Sequence, residues 1–437
     1  MSLSIFNELE SEVRGYIRSF PVLFTKAKGA QLWDENDNEY IDFLSGAGTL
    51  NYGHNHPELQ DAALSYIKSD GVIHGLDMAT EAKKTFMETF DSVILQPRSM
   101  NYKLQFTGPT GTNAVEAALK LARQVKGRSN VISFTNGFHG VSGGSLATTG
   151  NSKYRDAAGM SLGNVTFMPY CGYFGDSVDT IDHMDRLLSD KSSGVDHPAA
   201  VIVETVQGEG GLNTASFEWI KRLEGLCKRH DMLLIVDDIQ AGCGRTGSFF
   251  SFEGANISPD IITLSKSLSG YGLPMALVLM KPELDIWRVG AHNGTFRGNN
   301  LAFVTATETI KKFWKEKSFQ ENVKRKGTII ESCLRNMADL YPEGGFSVRG
   351  RGMMRGLHST NPELVHNVAQ AAFKGGVVVE TSGSQDEVLK ILAPLVISDD
   401  LLRKGLSIIE DGIAGLLNVK TRTRENIRPL KMAGRAS

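Results

Sequence analysis

The chain has little cysteine, almost no net charge and no long apolar run, and each shortage excludes a class of protein. Four cysteines, Cys171, Cys227, Cys243 and Cys333, are scattered through 437 residues and form no CxxC pair. That is too few for a disulfide framework or a cysteine-rich metal site. Forty-seven basic residues against 49 acidic ones leave a formal charge of −2, so there is no electrostatic footprint for nucleic acid. No stretch approaches the run of about 18 apolar residues that a membrane-spanning helix needs. The first eight residues turn acidic at Glu8, with no basic region ahead of an apolar stretch, unlike a signal peptide. His54, His56 and His139 show no spacing such as HExxH, so no catalytic metal is expected. A reduced, cytoplasmic protein with no nucleic-acid or membrane partner is the expectation.

What is present points to a large folded chain. Hydrophobic residues make up 41%, enough for a substantial core, and the 46 glycines exceed the usual share of roughly 7%. Short apolar runs at 130–134, 199–203, 232–236, 261–264 and 275–280 have polar or glycine-rich borders, as strands covered on both faces do. Between them, Phe217, Ile220, Leu223 and Leu226 recur on one helical face over 217–229. Such alternation predicts an α/β domain with a mostly parallel central sheet over 61–319. A long charged helix over 318–340 then opens a smaller α+β domain, 320–417. Residues 1–60 contain a hairpin centred on Asp34–Asn38 and are expected to pack with the small domain. The last stretch, 418–437, carries six basic residues and one acidic one and reads as a disordered solvated tail.

Three motifs carry chemistry. Thr110, Gly111 and Thr112 open directly into an alanine-rich helix, where free backbone N–H groups suit a phosphate or simply cap the helix. It is neither a P-loop nor a dinucleotide fingerprint. Asp237 ends one apolar strand, where open α/β sheets place ligand-binding groups or where a carboxylate caps the next turn. Lys266 stands at the end of another strand 29 residues on, about one αβ unit away. Together they fit an aldehyde cofactor with a phosphate and a basic ring nitrogen: an amine for a Schiff base, a carboxylate for the ring and an anion cradle.

On these motifs the chain resembles the class III (subgroup II) pyridoxal-phosphate aminotransferases of fold type I. Further matching blocks are Phe138-His139-Gly140, Glu204 through Gly211, Asp237 through Gly247, Ser265-Lys266-Ser267 and Asn293 through Asn299. The resemblance implies pyridoxal 5'-phosphate (PLP) as cofactor, Schiff-base formation and proton shuttling by Lys266, and a ring-nitrogen contact for Asp237. It also implies that Gln240 lies near the ring hydroxyl, Phe138 on the ring face and Glu204 near the ring. The phosphate would be held at Thr110, Gly111 and Thr112, with Thr295 arriving from a second subunit, so at least a homodimer is implied. Glu209 would lie on the substrate side.

Within the family, the wording of 46–54, 106–113, 264–274 and 292–299 looks like the branch that serves ectoine synthesis. Its reaction moves the amino group of L-glutamate to L-aspartate 4-semialdehyde by a ping-pong mechanism, giving L-2,4-diaminobutyrate and 2-oxoglutarate. Transamination of ornithine, 4-aminobutyrate or a diamine is the alternative within the family, and a non-catalytic phosphate-binding protein the alternative outside it. Two departures mark the substrate side. Lys390 stands where many relatives carry a carboxylate-binding arginine masked by the counterpart of Glu209, and lysine lacks the bidentate fork. Arg297 stands where relatives often have glycine, and is expected either to recognise a substrate carboxylate or to form a surface salt bridge.

Overall fold

The computed structural model describes residues 3–175 and 177–417; the basic stretch 418–437 lies outside them. The first three strands, β1 (Phe24–Lys28), β2 (Gln31–Asp34) and β3 (Glu39–Asp42), form an antiparallel meander. The next seven are β4 (Lys103–Phe106), β5 (Val131–Phe134), β6 (Val165–Met168), β7 (Ala200–Val203), β8 (Leu233–Asp237), β9 (Ile261–Leu264) and β10 (Leu277–Met280). They make one sheet in the order β4-β10-β9-β8-β7-β5-β6. Five of its strands, β6-β5-β7-β8-β9, pair in parallel. β10 runs antiparallel to both its neighbours. Only residues 265–276 separate it from β9, too few for the helical crossover that a parallel return needs.

The pattern of apolar runs explains the layering. Strands β5, β7, β8, β9 and β10 are buried at every residue, because helices cover both faces. The helix Gly111–Lys126 packs its alanine-rich face on one side, and the small residues allow close approach to the sheet. The helix Phe217–Arg229, predicted with those bounds, buries Trp219, Ile220, Leu223, Leu226 and Cys227 on the other. β4 and β6 escaped the sequence reading: they are edge strands with partly exposed residues, and short apolar runs are the signal they lack.

A second antiparallel sheet, β11-β12-β15-β14, is built from β11 (Phe346–Arg351), β12 (Met354–Ser359), β14 (Glu380–Ser382) and β15 (Val388–Ile391). The two-residue β13 (Val377–Val378) instead pairs in parallel with β3, joining Val377 to Ile41 in register. Ile41 and Phe43 share an apolar cluster with Leu357, Leu389 and Leu406, so the N-terminal meander and the C-terminal residues bury one core.

A fully buried guanidinium ties the three parts together. Arg245 donates from Nη1 to the Ala393 carbonyl at 2.6 Å and from Nε to Asn51 Oδ1 at 3.1 Å. Asn51 in turn donates to the Cys243 carbonyl at 3.0 Å. Burial pulls the Arg245 pKa down to about 9. Replacing Asn51 with alanine strips that buried charge of an acceptor and is expected to cost about 2 kcal/mol. A urea midpoint for Asn51→Ala well below wild type checks this, with Lys84→Ala, which breaks only an exposed pair to Glu88, as the near-neutral control.

Candidate active site

The parallel strands bring the site together at their C-terminal ends. Asp237 is the last residue of β8 and sits in register with Thr263 of the neighbouring β9, three residues before Lys266. Thr263 donates its hydroxyl to Asp237 Oδ1 at 3.1 Å. The loop after β5 adds His139, whose Nδ1 lies 2.7 Å from Asp237 Oδ2, both side chains buried. Burial alone pulls the imidazole down. The hydrogen bond and charge of Asp237, with help from Glu204, outweigh it, and the His139 pKa is raised.

Lys266 follows β9 after a single residue and takes a left-handed backbone, φ +44°, which a side chain with a Cβ adopts only under constraint. The turn directs Nζ to the Ala47 carbonyl at 2.8 Å. Burial lowers the Lys266 pKa, against the pull of Glu209. A larger neutral fraction makes the amine a better nucleophile.

The helix start at Thr110, Gly111 and Thr112 lies on the Asp237 side. Thr110 caps the helix Gly111–Lys126, its Oγ1 accepting from the Asn113 side-chain amide at 2.8 Å and from the Asn113 backbone. Thr112 shares hydroxyl contacts with Ser142 and Ser145. Gly140, at φ +122°, leaves Thr112 its room: a Cβ there would stand 2.6 Å from Thr112 Oγ1. A Cβ at Gly111 would press on Ile239 at 3.1 Å, so the helix start abuts the loop after Asp237.

On the other side, Glu204 accepts backbone N–H groups from Phe138 at 2.9 Å and Gly208 at 3.0 Å. Burial raises its pKa to about 7. The Phe138 ring meets Tyr154 edge-on, 5.2 Å between centroids. Phe138 and Tyr154 line a small cleft together with Glu209. Glu209 accepts from Lys390 Nζ at 3.0 Å and from Gln240 Nε2 at 3.1 Å. Lys390, fully buried, also lies 2.9 Å from Glu380 Oε1, and Tyr16 donates to the other Glu380 oxygen at 3.1 Å. Burial opposes ionisation of Glu209, but Lys390 and then Lys266 hold its pKa low.

Thr295 and Arg297 stand apart. Thr295 is exposed, and Arg297 pairs with Asp77 and points Nη1 at the His292 carbonyl. Arg297 lines a cleft of about 600 Å³ with Lys83, Trp287 and His292, which includes neither Lys266 nor Asp237. Their loop does return near the cradle, since a Cβ at Gly294 would lie 3.3 Å from the Gly108 nitrogen. Sequence reasoning passed over three residues of the cluster. His139 was legible as a side chain following a buried strand, like Asp237 and Lys266. Glu380 could have been marked as a charge ending a run of three valines. No signal in the sequence points to Tyr16.

The family model described as Aminotransferase class-III matches residues 14–413. The chain belongs to the class III aminotransferases. Two similar relatives are the diaminobutyrate–2-oxoglutarate transaminases of Bordetella parapertussis and Halomonas elongata. The first is 67% identical over 419 residues, covering 96% of each chain. The second is 57% identical over 413 residues, covering 94% of this chain and 98% of the relative. Among solved structures, the ornithine aminotransferase of Toxoplasma gondii superposes with a TM-score of 0.82 at 25% identity over 95% of each chain. A Bacillus anthracis aminotransferase shares the fold at a TM-score of 0.85, with 22% identity, over 95% of this chain and 98% of its own.

In this class III aminotransferase the contact between Asp237 and His139 governs the electrostatics of these strand ends. Because the folded His139 pKa is raised, its contribution to stability is complete below the ordinary imidazole pKa and is lost as pH rises through the folded value. Asp237→Asn removes the partner and leaves burial in charge. The His139 pKa, followed by NMR titration of the ring, is expected to fall below the ordinary imidazole value near 6.5 in that variant.

Proposed function

We propose that this chain uses PLP to transfer the amino group of L-glutamate to L-aspartate 4-semialdehyde, giving L-2,4-diaminobutyrate and 2-oxoglutarate. The observation that carries the substrate assignment is the agreement of its relatives. Proteins 67%, 57% and 54% identical over nearly the whole chain share the name diaminobutyrate–2-oxoglutarate transaminase. We further propose that the enzyme is cytoplasmic and supplies diaminobutyrate for ectoine synthesis. Among the described residues no helix is long and apolar enough to cross a membrane.

The residues present suit PLP. A structure of the Toxoplasma gondii ornithine aminotransferase holds PLP at partial occupancy in its active site. A helix N-terminus with threonine hydroxyls suits a phosphate; a buried carboxylate suits a protonated ring nitrogen; an amine with a depressed pKa suits an aldehyde. Gln240 Oε1 is buried without a hydrogen-bond partner, as expected of an atom meant to face a bound group. When bound, PLP supplies an electron sink for the carbanion formed as the substrate loses its proton.

The chain's own groups do the rest. Lys266 Nζ would hold the cofactor and, once freed by the incoming amine, would take the proton from the substrate carbon and return it. Asp237, oriented by His139 and Thr263, would hold a proton on the ring nitrogen. Thr110, Gly111 and Thr112 fix the phosphate, and Phe138 covers the ring. Glu204, bound to the Phe138 N–H, would hold that residue in place. Thr295 and Arg297 reach the phosphate and a substrate carboxylate of a neighbouring subunit, so the working unit is at least a dimer. Their loop exposes three large apolar side chains in the single chain, Ile286, Val289 and Phe296.

The test follows the nitrogen. With glutamate labelled at its amino nitrogen and aspartate semialdehyde, the label is expected on C4 of diaminobutyrate, equimolar with 2-oxoglutarate. Label at the α-nitrogen, or transfer to other aldehydes with none to the semialdehyde, would overturn the assignment.

A further inference from the structure

Lys390 stands between two carboxylates, Glu209 and Glu380. Glu380 and Lys390 are fixed opposite each other by the pairing of β14 with β15, so their contact is built into the register and not into a mobile side chain. On its other side Lys390 pairs with Gly356, which offers no side chain. The third neighbour, Glu209, comes from a loop pinned to the same sheet, since Gly383 donates its N–H to the Glu209 carbonyl at 3.0 Å. With Lys266 engaged by the cofactor, as proposed above, Lys390 alone faces both Glu209 and Glu380 within hydrogen-bonding range, one carboxylate more than it pairs.

The two carboxylates are not equivalent. Glu209 lines the small cleft beside Phe138 and Tyr154 and keeps part of its side chain exposed. Glu380 is absent from that lining and is covered by the Tyr16 hydroxyl. A second observation points to a ligand. Gln240, more than nine-tenths buried, donates Nε2 to Glu209 and to the Ala47 carbonyl, the same carbonyl that receives Lys266 Nζ. Its own Oε1 is left without a partner. An unused acceptor and a surplus carboxylate therefore stand next to the reactive amine, and both favour a donor.

We propose that Glu380 is a specificity-determining residue: it balances Lys390 away from the cleft and so leaves Glu209 to receive the ammonium at the non-reacting end of a diamino substrate. The inference rests on the reaction proposed above, whose substrate and product both carry an α-ammonium far from the carbon that reacts. A one-to-one pair of lysine and glutamate would be neutral and would favour neither charge. With Glu380 present, the cleft prefers a substrate end bearing a cation and holds the purely anionic end of glutamate less tightly.

The holoenzyme and its Glu380→Gln variant test this by steady-state kinetics with glutamate, diaminobutyrate and 4-aminobutyrate, the last lacking the α-ammonium. In the variant the KM for diaminobutyrate is expected to rise and that for glutamate to fall, each about fivefold, with kcat nearly constant. Tyr16→Phe keeps the charge and removes only the hydrogen bond to Glu380, so both KM values should stay near wild type. Parallel changes in the two KM values, or a loss confined to kcat, would show a structural role and overturn the proposal. Should Glu380→Gln fail to load cofactor, the wild-type comparison decides. Diaminobutyrate is expected to bind about fivefold better than 4-aminobutyrate, and equal KM values reject the idea. A wild-type enzyme that makes no diaminobutyrate from glutamate and the semialdehyde defeats the proposed function instead, which is a separate outcome.

Discussion

Charge is tolerated inside a protein only where each group meets a partner that offsets the loss of water. The region where β8 and β9 end is organised around that requirement. Asp237 and His139 neutralise each other at 2.7 Å, and Lys390 is clamped between Glu209 and Glu380. Lys266 donates Nζ to the Ala47 backbone carbonyl. A carboxylate–imidazole pair, a lysine between two carboxylates and a buried amine thus meet where the strands end. Packing, register and strained turns elsewhere serve to hold that arrangement in place.

Three separate parts of the chain are needed to build it. The parallel sheet supplies Asp237 and Lys266 through its register, the C-terminal sheet supplies Lys390 and Glu380 through theirs, and the N-terminal segment supplies Ala47 and Tyr16. Arg245, with no exposed surface, bonds Asn51 to the Ala393 carbonyl and locks the last two parts to the first. A reactive lysine held by such distant segments is insulated from local fraying.

Much of this was legible from residues alone, for identifiable reasons. Fully buried parallel strands read as unbroken apolar runs, so the carboxylate and the lysine at their ends stood out as breaks in the pattern. Helices with a strong periodic face, 217–229 and 318–340, were placed to the residue. The antiparallel β10 was not distinguishable from its parallel neighbours, because burial on both faces erases the alternation that separates them. Nor was the second carboxylate on Lys390, since Glu380 meets it across strands and no local motif encodes that pairing. For Arg297 the sequence left substrate recognition and a surface salt bridge both open; within one chain it pairs with Asp77.

The claim on which the rest depends is that the buried Lys266 amine is where the cofactor is joined to the chain. Borohydride reduction of the PLP-loaded protein, followed by proteolysis and mass spectrometry, reads this directly. The account predicts a phosphopyridoxyl mass on the peptide carrying Lys266 and on no other. Attachment at Lys390 or at any other lysine, or no attachment in a protein that still transaminates, would contradict it.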